Sequence, residues 1–112
     1  MTRIVTVGAA QLGPVALAES RAQVVRRMLT LMHQAHRHGC DLVVFPELAL
    51  TTFFPRWYFE DQARIDRFFE REMPGPDTQP LFDAARWAWR SATTAAGPRP
   101  TAAWACKASR WC

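Results

Sequence analysis

Apolar and polar residues alternate in blocks along the first half of the chain, and each block has the period of one kind of element. Ile4-Val5-Thr6-Val7-Gly8-Ala9-Ala10 is β-branched and apolar, which predicts a short strand over residues 4–10. Gly13-Pro14 breaks it. Ser20 followed three residues later by Gln23 has the form of a capping box. Val24, Met28, Leu31, Met32 and Ala35 then recur at helical spacing, so a helix with one apolar face is expected over residues 20–38. Gly39 is placed to end it. Asp41-Leu42-Val43-Val44-Phe45 follows at once. Its apolar run predicts a central strand covered on both faces. Strand, helix and strand with short joints make a βαβ unit, in which the strands run parallel and the crossover is right-handed.

The second half is less regular. Pro46 ends the second strand, and Leu48 to Phe54 is an unusually apolar loop closed by Pro55. Arg56 to Glu72 mixes Trp57, Phe59, Ile65, Phe68 and Phe69 with charges, which suggests a helix from about Glu60. Met73-Pro74-Gly75-Pro76 stops it, and Thr78 to Ala85 opens another, with Leu81, Phe82 and Ala85 inward.

Composition changes this picture at one place. Over the 112 residues, 49% apolar and 21% charged is the balance of one small soluble domain. No apolar run approaches the roughly 18 residues that a membrane helix needs. Three cysteines are an odd number, so a closed disulfide framework is not expected, and the cytoplasm is the expected compartment. The net charge of +4 divides unevenly. Residues 1–85 carry nine Arg and ten acids, whereas residues 86–112 carry Arg86, Arg90, Arg99, Lys107 and Arg110 and no acid. That last stretch also lacks Leu, Ile, Val, Met and Phe, yet holds four of the five Trp.

Two explanations of this stretch differ in class. Cations interleaved with Trp can bind single-stranded nucleic acid by charge and stacking, which would make the chain a non-catalytic binding or assembly module. The segment nonetheless has no strand alternation, no apolar stripe and no Gly-rich loop to present the rings, and no nucleic-acid or membrane partner is expected. The genetic code supplies the other explanation. Trp has the single codon TGG. Read two bases late, with a CGN codon for Arg90 and a TCN codon for Ser91, Arg86-Trp87-Ala88-Trp89-Arg90-Ser91 becomes apolar-Gly-apolar-Ala-apolar, the pattern of a buried strand. The expectation is a folded body over residues 1–85 and an aberrant, frameshifted, disordered tail over 86–112.

Among residues that could carry chemistry, Glu47 stands first. It lies just past the C-terminal end of the second strand, and that rim is where open α/β sheets place their active sites. An acid after Val-Val-Phe-Pro is expected to be half-buried, and burial tunes a carboxyl toward neutrality for proton transfer. An exposed loop carboxylate that stabilises the following turn is the structural alternative. His33, His36 and His38 with Cys40 nearby lack a second ligand pair, so a polar helix face is expected and no metal. Cys40 reads as a small core residue. Cys106 beside Lys107 falls in the aberrant tail.

Val43-Val44-Phe45-Pro46-Glu47-Leu48 resembles the first catalytic motif of the nitrilase, or carbon–nitrogen hydrolase, superfamily. Glu47 to Trp57 and Glu72-Met73-Pro74-Gly75-Pro76 are similar to N-carbamoyl-D-amino-acid amidohydrolases in particular, as is Gly13-Pro14 before the first helix. The resemblance covers about residues 1–85. It implies the first βαβ portion of an α-β-β-α sandwich and a Glu-Lys-Cys mechanism without metal or organic cofactor. It also implies an N-carbamoyl amino acid as small-molecule substrate and homo-oligomeric assembly. Glu47 matches the general base, the proton acceptor. The Lys and Cys motifs of the family lie downstream and have no counterpart here, the one Lys being Lys107 in a different context. The chain on its own is therefore expected to be inactive.

Overall fold

A computed structural model describes residues 2–96, with side chains through residue 88. The elements in order are β1 (Val7–Ala9), α1 (Arg21–Arg37), β2 (Leu42–Val44), a 3-10 turn (Phe54–Arg56), α2 (Gln62–Asp66) and α3 (Gln79–Ala96). The fold class is α/β. β1 and β2 pair in parallel, with Val7 opposite Leu42, Gly8 opposite Val43 and Ala9 opposite Val44. Hydrogen bonds extend the pairing beyond the strands. The Ala10 amide donates to Val44 O at 2.8 Å, and the Asp41 amide donates to Thr6 O at 2.8 Å. The parallel βαβ expectation stands, with each strand shorter than the apolar run that contains it.

α1 begins as its sequence dictates. The Gln23 amide donates to Ser20 Oγ, and the Ser20 amide donates back to Gln23 Oε1 at 2.8 Å. Its buried residues are Val24, Val25 and Met28. They form the core with Leu12 and Leu81, and Phe45, Leu50 and Phe82 pack around it. The loop that leads to α1 is clamped by Arg27. Its guanidinium donates to the carbonyls of Leu12 and Pro14 and to both carboxylate oxygens of Glu19, at 2.8 and 2.9 Å.

Three expectations need correction. The second strand is not covered on both faces. Val43 is half-buried on the same face as Gly8, where a side chain in place of the Gly8 hydrogen would meet Cys40 Sγ at 3.0 Å and Ala35 of α1 at 3.6 Å. On the other face Val7, Leu42 and Val44 remain exposed, and no described element covers them.

The second correction concerns the helix expected from about Glu60 to Glu72, which is reduced to Gln62–Asp66. Tertiary contacts override the local pattern there. Arg21 reaches from α1 to the carbonyls of Arg67 and Phe68 and pairs with Glu70. Phe68 stacks on Phe54 with ring centres 5.2 Å apart, and Phe69 meets Phe54 edge-on. These interactions fix the segment as turns.

The third correction is that no disordered stretch begins at residue 86. α3 continues unbroken from Gln79 to Ala96. Ala84, Ala85, Ala88, Ala92, Ala95 and Ala96 supply the highest intrinsic helix propensity. At its start Thr78 is fully buried, and its hydroxyl accepts from the Gly75 amide at 2.7 Å. The rest of the expected tail, residues 97–112, lies outside the described residues. No described helix is long and apolar enough to cross a membrane.

Candidate functional site

Glu47 lies three residues beyond the end of β2, at the first position of a turn over residues 47–50. The parallel pairing of β1 and β2 thus puts it on the rim expected for chemistry. It is exposed, which corrects the half-burial expected from the apolar run before it. Val43-Val44-Phe45 is apolar enough to carry a covering layer, but no described residue forms that layer over the strand exit.

The turn that holds Glu47 has an unusual hinge. Leu48 takes φ 53°, a left-handed conformation that costs a non-glycine residue on the order of 1–3 kcal/mol. Two residues later the chain returns to the core, with Ala49 and Leu50 packed against it and Thr52 buried. Nothing in the sequence marks Leu48 for this role, because glycine or asparagine is the usual occupant.

Other candidates lie elsewhere. Cys40 is a free, half-buried thiol before β2, at the opposite end of the strand from Glu47. Its sulfur packs towards Gly8, so it serves the sheet–helix contact and is not presented to the Glu47 carboxylate. His36 meets the edge of Trp87 at 6.2 Å, joining α1 to α3, while His33 and His38 are exposed. Among the described residues no three His, Cys, Asp or Glu side chains gather as metal ligands. Cys106, Lys107 and Cys112 lie outside the described residues.

Among the described residues, Glu47 lines neither of two surface clefts. One of about 420 Å³ lies along α2 and the turns after it, between Arg67, Arg71, Glu70 and Glu72. A smaller one of about 110 Å³ lies between Arg21, Thr51, Thr52 and Phe68. The described residues therefore bring a carboxylate to a sheet rim, with Cys40 at the other end of the strand.

A comparison with known families places this geometry in context. The family model described as carbon-nitrogen hydrolase matches residues 6–102. The match takes in both strands, α1, the Glu47 turn and α3. It also runs beyond residue 85 into the stretch that composition sets apart.

Proposed function

This chain belongs to the carbon–nitrogen hydrolase family, and from that premise we propose that Glu47 is the proton acceptor of a C–N bond hydrolysis whose substrates are N-carbamoyl-D-amino acids. The observation that carries the reading is the position of Glu47 at the C-terminal exit of a parallel strand in a chain of this family. The sequence around it supports the substrate class. Glu47 to Trp57 and Glu72 to Pro76 are the segments similar to N-carbamoyl-D-amino-acid amidohydrolases.

The chemistry assigns one task to Glu47. A carboxylate accepts a proton from a thiol, which raises the nucleophilicity of the sulfur. The thiolate attacks the carbamoyl carbonyl, a cation stabilises the resulting oxyanion, the protonated carboxyl gives its proton to the departing nitrogen so that ammonia leaves, and water then cleaves the S–C bond and restores the thiol. Cys40 is unsuited to the attack by its place at the other end of β2, and no lysine occurs before Lys107. A base without its nucleophile forms no acyl intermediate, and losing one member of such a set costs nearly as much as losing all. The 112-residue polypeptide by itself is therefore inactive in this proposal.

The test has two arms, both reading ammonia release from the D and L forms of N-carbamoyl-phenylglycine. The purified 112-residue protein should release none above the blank. The gene re-read two bases late from codon 86 should yield a protein with D-selective hydrolysis, reduced roughly 100-fold or more by Glu47→Gln. Full activity of the re-read Glu47→Gln protein would remove Glu47 from the mechanism. A closed second frame would instead overturn the frameshift account of residues 86–112.

A further inference from the structure

The backbone enters and leaves the Glu47 turn under restraint on both sides. Before it, the Val44 carbonyl accepts from Ala10 at 2.8 Å, Phe45 packs on the core, and Pro46 has a ring-locked φ. After it, Ala49 and Leu50 pack on the same core, the Thr51 amide donates to Leu48 O at 3.2 Å, and Thr52 is buried. Leu48 joins the two halves in the left-handed region at φ 53°. Leu48 itself is 36% exposed.

A glycine would take this conformation freely, but it would also sample many others. Any L residue with a Cβ has only a narrow left-handed well. Once the flanks place it in that well, the joint is stiff. We propose that Leu48 is the positioning residue for Glu47: a strained, narrow left-handed joint that holds the carboxylate-bearing residue at the exit of β2. The proposal deepens the reading of Glu47 as proton acceptor and rests on it for its functional meaning. Stability alone would favour glycine here, so a leucine exchanges stability for a fixed direction.

A protease that cuts after glutamate reads the joint directly, because cleavage of the Glu47–Leu48 bond requires the turn to open. The bond's cleavage is timed by mass spectrometry on the 112-residue protein at submicromolar concentration. Each rate is divided by that of a synthetic peptide of residues 41–55 with the same substitution, which removes the protease's own preference. Urea midpoints are measured alongside. Leu48→Gly should raise the urea midpoint and yet speed normalised cleavage roughly tenfold. Leu48→Asn, which tolerates the left-handed region while keeping a Cβ, should cleave at the wild-type rate.

A merely structural role predicts the reverse for glycine, with slower cleavage as stability rises. Wild-type or slower cleavage of Leu48→Gly, a lower midpoint for it, or an asparagine variant as labile as glycine would each overturn the proposal. Failure of the base assignment would appear in the hydrolysis assay and leave these cleavage ratios as they stand.

Discussion

The two faces of the β1–β2 sheet are built from the same kinds of residue and meet opposite fates. Gly8 and Val43 face α1, where Cys40 and Ala35 come close enough to contact any side chain added at Gly8. Val7 and Val44 on the other face are 55% and 50% exposed. Apolar character states how much a strand gains by being covered, and it is blind to which element does the covering. The same contrast explains the site. Glu47 is at the correct end of the sheet, but the burial expected of it depends on a layer that the described residues do not form.

If the core lies on the α1 side alone, its disruption should have the largest effect. Met28→Ala empties a buried position of α1 and should cost about 3 kcal/mol in urea unfolding. A loss below about 1 kcal/mol would mean that α1 is not the covering element. Next in size is the start of that helix. Ser20→Ala removes the hydroxyl that accepts from Gln23 and should cost about 1 kcal/mol by the same measurement. Ser20→Gly should recover most of it.

A smaller effect appears as pH dependence. The Arg27 guanidinium, first by its hydrogen bond, holds the Glu19 carboxyl below the usual carboxylate value against a smaller opposing push from desolvation, with lesser help from the Ala16 amide and from the Arg27 charge. A lowered folded-state value stabilises the protein above the unfolded value and loses that contribution as pH falls through the folded one. Unfolding midpoints should therefore drop on acidification below about pH 4.3, and Arg27→Met should flatten that part of the profile. An unchanged profile in Arg27→Met would remove the clamp from the account.

Much of this was legible before any coordinates. The strand and helix periods located β1, α1 and β2, and Ser20 with Gln23 announced the helix start, because each depends on neighbours a few residues away. The parallel pairing followed from the short joints. The helix expected over residues 60–72 failed where contacts distant in sequence took control, with Arg21 bonding to the carbonyls of Arg67 and Phe68. Residues 86–96 misled in the opposite direction. Their odd composition concealed an alanine-rich helix. At the candidate site, the position of Glu47 past the end of β2 followed from the apolar run and Pro46 before it. Leu48 gave no warning, since a left-handed φ is not its own preference.

The central claim, that one sheet face is covered and the other open, is best tested on two adjacent valines. Val43→Thr and Val44→Thr make the same near-isosteric change, on residues that point to opposite faces of β2. On the covered face the new hydroxyl is half-buried and should cost about 1 kcal/mol, whereas on the open face the cost should stay within about 0.5 kcal/mol. Urea unfolding of the two variants side by side reads the difference. Equal losses, or a larger loss at Val44, would contradict a sheet covered by α1 alone.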